Sequence, residues 1–364
     1  MKKYTKEELS LIWLDSFDGL EYKHKKIIFD FVKSQDRITD GLNLAKEYIV
    51  KNVGDNQFNT MLSSANQAYL NYVLDELNRK GILATTFLSK EYPESLSQMG
   101  IEPLVLYAKG NIELLNTDIF GIVGSRKSLS QSLALAGEYV KALSKHFTFV
   151  TGIAEGVDTA VIKSALQEKA KVISVIAGGF DNIYPSQNKD LFDKVVENGL
   201  VVSEYPPKVS PKPYYFPIRN RIIAGLSKGV LIISGAKKSG TLYTATYAGE
   251  FGRDLFAIPY SVGIKSGEGC NDLIKNGAIL TDTPQDILDY YGIEKENKNL
   301  ELTDDEREIL RTLSEHGQMH IEKLSSVIGK RTFMIMPTLS NLEIKGLISK
   351  GGNIYGLTQN YSEE

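Results

Sequence analysis

Residues 118–128, DIFGIVGSRKS, join an apolar run, Ile119–Val123, to a loop of small and basic residues, Gly124, Ser125, Arg126, Lys127 and Ser128. The run is apolar at consecutive positions, as in a strand buried on both faces, and the loop opens a helical pattern at about Leu129. The same arrangement recurs at FTFVTG (147–152), VISVIAGG (172–179), LVVSEYPP (200–207), GVLIISG (229–235) and LFAIPY (255–260). Amphipathic stretches separate these runs. Strands buried on both faces and alternating with helices predict an α/β fold of the Rossmann-like, doubly wound, mostly parallel class. In such sheets ligands sit outside the carboxyl ends of the strands, where the glycine-rich loops fall.

Outward from this core, residues 1–85 carry Leu, Ile, Lys and Asn at helical spacing and read as a small helical domain. The core is assigned to 86–292, with EYPESL (91–96) as a turn and PLVLYAKG (103–110) as a lead-in strand. A charged, Asn-rich stretch at 293–302 reads as a linker. Residues 303–364 read as three helices and a two-stranded hairpin with a Gly-Gly turn, the order of a winged helix, with Pro337 inside the third helix.

Lys plus Arg number 42 and Asp plus Glu 45, so the net charge of -3 gives no global attraction to a polyanion, and any nucleic-acid site must come from local clustering. Cys270 is the only cysteine, which excludes an intramolecular disulfide and a cysteine-rich zinc site. The N-terminus lacks a signal-peptide pattern and no apolar run is long enough to span a bilayer, so a cytoplasmic protein with no membrane partner is expected.

Three loops carry candidate anion sites. Gly124–Ser128 places charge and donors at a helix N-terminus, where backbone N–H groups already favour phosphate. It matches neither a dinucleotide fingerprint nor a Walker A loop. In TGIAEGVD (151–158), Gly152 and Gly156 allow close backbone approach, with Asp158 read as a helix cap. Gly179, beside Gly178 and ahead of Tyr184, closes the third.

From Tyr205 to Gly249 there is no acidic residue, where a window of that length should hold about five or six. It holds Lys208, Lys212, Arg219, Arg221, Lys228, Lys237 and Lys238 interleaved with tyrosines and Phe216. Cations neutralise phosphates while flat rings stack on unpaired bases, the combination used on single strands. The most informative piece is PYYFPIRNR (213–221), read as an aromatic loop opening a helix at Arg219, Asn220 and Arg221. A second piece, Lys237, Lys238, Ser239, Gly240 and Thr241, reads as an anion nest. The blander reading puts the three rings on a core edge and the arginines of this helix on a solvated face, and makes Arg126 a structural ion pair. The histidines, His24, His146, His316 and His320, all lie outside these loops, so no catalytic constellation, metal site or cofactor is assigned.

GIVGSRKS, TGIAEGVDTA, GGFDNIYP, SEYPP, FPIRNRIIAGLS, KKSGTLYTA, GRDLFAIP and EGCNDLIKNGA resemble, in order and spacing, the DprA/Smf family of DNA-processing proteins. The resemblance implies a non-catalytic mediator that binds and protects single-stranded DNA, forms homodimers and helps load a RecA-type recombinase during natural transformation or related DNA processing. It carries the anion loop onto Ser125 and Arg126, and the FPxRNR segment onto Phe216, Arg219, Asn220 and Arg221. The N-terminal helices resemble the family's sterile-alpha-motif or helix-hairpin-helix unit, and the tail its winged helix. The chain departs from the family's pattern at Ile162, in place of a histidine, at Ser234-Gly235, in place of Glu-Ala, and at Tyr260, in place of glycine. Two alternatives stay open: a nucleotide sensor or nucleoside-monophosphate hydrolase akin to the LOG phosphoribohydrolases, and a duplex-DNA regulator acting through the winged helix. Residues 303–360 carry seven basic and seven acidic residues, so that module has no net charge to favour DNA.

Overall fold

The computed structural model describes residues 3–293 and 302–358, so most of the expected linker lies outside the described residues. The chain divides into two compact units, Met1–Ile293 and Glu294–Glu364.

The first unit begins with six helices, α1 (Lys6–Asp15), α2 (Tyr22–Val32), α3 (Ile38–Leu44), α4 (Lys46–Asn52), α5 (Asp55–Ser63) and α6 (Gln67–Arg79). Strands β1 (Leu83–Thr86) and β2 (Val105–Gly110) form an antiparallel pair with the short helix α7 (Glu94–Ser97) between them. The expected strands follow as β3 (Ile119–Val123), β4 (Thr148–Thr151), β5 (Val172–Val175), β6 (Leu200–Ser203), β7 (Gly229–Ile232) and β8 (Asp254–Ala257), with a two-residue β9 (Ile279–Leu280). Between and after them run α8 (Ser130–Leu143), α9 (Val157–Gln167), α10 (Lys189–Asn198), α11 (Tyr215–Leu226), α12 (Thr241–Glu250), α13 (Glu268–Lys275) and α14 (Pro284–Tyr290).

One nine-stranded sheet results, in the order β1-β2-β6-β5-β4-β3-β7-β8-β9. All neighbours from β6 to β9 are parallel, and β2 joins β6 antiparallel. Alternate strand residues feed two cores. Phe120 and Ile122 point to one shared with α8, α9, α10, α14 and the N-terminal helices. Ile119 and Val123 point to the other, with α7, α11, α12 and α13. Trp13 and the apolar positions of α2 to α6 belong to the first core, so the N-terminal helices pack on the sheet.

This strand order contains a reversal. From β3 the chain builds outward through β4, β5 and β6, then crosses through α11 to β7 on the opposite side of β3. The loops after β3 and β7 therefore diverge and leave a crevice at their carboxyl ends.

In the second unit α15 (Asp304–His316), α16 (Ile321–Ile328) and α17 (Thr332–Ile344) surround a small core with the antiparallel sheet β10-β12-β11, from β10 (Met319–His320), β11 (Ile348–Gly351) and β12 (Ile354–Leu357). The expected helices and hairpin are present, and β10 adds a third strand. Pro337 lies inside α17, which runs through it.

Candidate nucleic-acid interface

A cleft of about 730 Å³ opens at the β3/β7 reversal. Its walls come from the loop after β3 (Gly124, Ser125, Arg126, Lys127), the first two turns of α11 (Phe216, Arg219, Asn220), the entry to α12 (Ser239, Gly240, Thr241), and Tyr184. The crevice thus gathers most of the candidates from three separate strand ends.

The loop after β3 is held by its neighbours. The Ser125 N–H donates to Ser234 Oγ at 3.1 Å, and the Ser128 hydroxyl lies 2.8 Å from that oxygen and donates to the Ser125 carbonyl at 2.9 Å. Ser234 is fully buried at the end of β7 and ties the two diverging loops together. Gly156, at φ +81°, brings α9 so close that a methyl group there would meet the Ser125 and Arg126 carbonyls. Arg126 is exposed, and its guanidinium carbon stands 4.8 Å from the centre of the Phe216 ring. Tyr184, 53% exposed, meets the same ring edge-on at 5.6 Å.

Below them Arg219 is buried at the cleft floor. It donates to the Val175 carbonyl, and its Nε to Asn220 Oδ1 at 3.1 Å. Burial pulls its pKa down, to about 10, against the Asp158 carboxylate beside it. Asp158 is also buried and accepts from the Thr151 hydroxyl at 3.1 Å and the Ala154 N–H at 3.2 Å. Burial pushes its carboxyl up, and Arg219 opposes that. The sequence reading made Asp158 the helix cap, and the structure differs: Gly156 takes the cap position, and Asp158 turns inward to Thr151 and Ala154. Gly152 faces this pair, where a Cβ would run into Asp158 Oδ2 and lie 2.8 Å from an Arg219 nitrogen.

Helix α11 starts at Tyr215, four residues ahead of the expected Arg219, with Pro217 in its first turn, where a missing N–H costs nothing. This places alternate faces of PYYFPIRNR on two sides. Phe216, Arg219 and Asn220 line the cleft, and the Asn220 amide donates to the Gly240 carbonyl at 3.2 Å, joining α11 to the start of α12.

Arg221 lies on the other side, buried, with its guanidinium on both Glu204 oxygens at 2.6 and 3.3 Å. It lines a separate hollow between α11 and the α1–α2 turn. Lys212 also leaves the cleft, reaching Asp18 at 3.5 Å and the Tyr215 ring at 5.3 Å. Gly179 packs against the Pro206 and Pro207 carbonyls, donating to Val209 O at 2.7 Å, and is no part of the wall. Lys237 and Lys238 are exposed on the α12 loop outside the lining, Lys237 lying 3.7 Å from Asp272. Within the nest, the Thr241 N–H donates to Ser239 Oγ at 3.3 Å. Tyr184 escaped the sequence reading as a site residue, although its ring in a strand-end loop was the available signal.

Among the described residues no group of His, Cys, Asp and Glu could hold a metal ion, and no helix is long and apolar enough to cross a membrane.

The sequence profile of the family described as DNA recombination-mediator protein A matches residues 84–292. The chain belongs to that family. It is 42% identical over 197 residues to DNA processing protein DprA of Streptococcus pneumoniae, covering 54% of this chain and 70% of that one. With DprA of Bacillus subtilis identity is 37% over 219 residues, 60% of this chain and 74% of the relative. The X-ray structure of DprA from S. pneumoniae superposes with a TM-score of 0.68 at 32% identity, over 79% of this chain and 98% of that one. DprA from Helicobacter pylori, whose structure is described as giving insight into its single-stranded DNA binding mode, superposes at 0.52 and 28% identity, over 57% and 95%.

Within this DprA frame the departures have physical accounts. Ile162 is fully buried in α9 and packs in the core. Ser234 supplies the tie between the β3 and β7 loops. The Tyr260 hydroxyl donates to the Ile233 carbonyl at 2.7 Å and meets the Ser132 hydroxyl at 2.9 Å, bracing the end of β7 against α8. Membership in the DprA family makes the chain a recombination mediator, a binding protein rather than a catalyst.

Proposed function

We propose that the cleft binds single-stranded DNA, with phosphates on the Arg126 loop and bases against Phe216 and Tyr184. The observation that carries this reading is the Arg126–Phe216 contact at the mouth of a crevice formed by strand reversal. A cation and an accessible ring side by side serve a strand whose bases are unstacked, whereas duplex bases keep their faces covered. Arg219, set against Asp158, shapes the floor, and Asn220 and Ser234 hold the walls in place.

In this reading the protein acts in the cytoplasm as a homodimer that protects single strands and hands them to a RecA-type recombinase, in natural transformation or related DNA processing. The chain is organised as a helical segment (1–85), the binding core (86–292), a linker (293–302) and a winged helix (303–364). The three helices and three-stranded sheet of the second unit support the last assignment.

The test is a titration of labelled single- and double-stranded oligonucleotides over a range of salt. Single strands should bind more tightly, and log K should fall linearly with log salt. No measurable affinity for single strands at low salt would overturn the assignment.

A further inference from the structure

Helix α17 is apolar on two opposite faces. Ile335, Leu339 and Leu342 enter the core of the second unit. On the other side Phe333, Pro337, Ser340 and Ile344 follow one another at spacings of three or four residues and so form a single stripe, with Met334 and Met336 flanking it. Ile344 is 85% exposed, Phe333 67% and Met334 57%. A helix with apolar residues on two opposite faces belongs where both are covered, and a contiguous exposed apolar patch marks a docking surface.

Charge decides what covers it. In a winged helix this third helix is the one that enters a DNA groove, yet residues 332–344 contain no Lys or Arg to meet a phosphate. The lysines at its ends are used within the unit: Lys330 holds Asp305 and Glu308, both at 2.7 Å, and Lys345 holds Glu306 at 2.8 Å. What remains is Arg331 before the helix and Glu343 in its last turn, both exposed and without an ion pair among the described residues. Opposite charges at opposite ends make the helix complementary to a reversed copy of itself. An isologous two-fold contact satisfies both charges twice, and it aligns the helix dipoles antiparallel.

We propose that α17 is a self-docking surface, through which the C-terminal units of two chains pair as antiparallel helices about an axis near Pro337 and Ser340. The small Ser340 and the flat Pro337 ring at the centre let the backbones approach, while Phe333 packs beside Ile344 of the second copy. This contact is independent of any association through the α/β core.

The test uses the full chain carrying Ser340→Cys, in which the native Cys270 is buried and silent. Under mild oxidation this variant should form a disulfide-linked dimer several-fold more efficiently than Glu322→Cys, whose site is exposed on α16 away from the stripe. Ile344→Lys alters only an exposed residue, and added to Ser340→Cys it should bring the cross-linking down to the Glu322→Cys level, whatever association the core makes. The proposal is overturned if Ser340→Cys cross-links no better than Glu322→Cys, as it would were the stripe covered by another part of the same chain or by an unlike partner. It is equally overturned if Ser340→Cys cross-links as well with Ile344→Lys as without it.

Discussion

In the free protein the Arg126 guanidinium lies 4.8 Å from the centre of the Phe216 ring, so an exposed cation and an accessible ring at the cleft mouth satisfy each other. Such contacts at exposed sites contribute about 0.5–1 kcal/mol. A strand entering the cleft trades this modest contact for a phosphate on one group and a base on the other.

Replacing either group should therefore weaken binding differently. Arg126→Ala should lower affinity for all single strands and reduce the slope of log K against log salt by about one. Phe216→Ala should cost about 1–3 kcal/mol of binding with the slope unchanged. Fluorescence anisotropy at several salt concentrations separates the two.

Arg221, three positions from the end of PYYFPI, should behave as a structural residue. Removing its guanidinium leaves Glu204 without its partner in a largely buried site, a loss of about 3–5 kcal/mol. Arg221→Ala should lower the urea midpoint sharply, while the fraction that remains folded keeps parental affinity. A loss of affinity in a variant of undiminished stability would return Arg221 to the DNA surface.

Ser234→Ala removes the acceptor for the Ser125 N–H and the hydroxyl paired with Ser128. An unsatisfied N–H costs about 1–3 kcal/mol. Hydrogen exchange at the Ser125 amide should quicken and oligonucleotide affinity should fall, because the Arg126 loop is no longer tied to the end of β7.

The second unit carries a pH-sensitive cap. Burial raises the pKa of Glu306, but Lys345, the Thr303 N–H and the Thr303 hydroxyl outweigh it, and the carboxyl is held below its ordinary value. A depressed carboxyl contributes stability that is present above the unfolded pKa, ~4.3, and is lost as pH falls through the folded value. Protection of the α15 amides should decline over that acid range. In Glu306→Gln, protection should start lower at neutral pH and change less on acidification.

Burial pushes the Cys270 thiol up to about 12, and the side chain is fully enclosed. At pH 8 the folded protein should not react with a thiol reagent, and one equivalent should react on unfolding. Titration with an aromatic disulfide reads both states.

Strands β3 to β8 were legible because each is apolar at consecutive positions and ends in small or turn-forming residues. β9 was not, since two residues, Ile279 and Leu280, carry no period. The acid-free window showed where cations and rings gather but not which are free. The carboxylates that claim its arginines lie outside it in sequence: Glu204 one residue before, and Asp158 on another helix. Lys212 is likewise met by Asp18, from the far N-terminal segment. Arginine reads as a surface residue in any composition, and only the fold reveals a buried one. Neither a solvated face nor a DNA clamp describes Arg221, which is buried on Glu204, and Arg219 is buried too, at the cleft floor beside Asp158.

The family match begins at residue 84, inside β1, whereas the physical edge of the sheet is covered from further back. The Tyr4 hydroxyl donates to the Ala84 carbonyl at 3.1 Å, and α1 and α6 pack on the same strand. An uncovered outer strand offers its free N–H and C=O groups to any other chain. The N-terminal helices, which contribute nothing to the cleft, thus act as a guard against edge-to-edge aggregation.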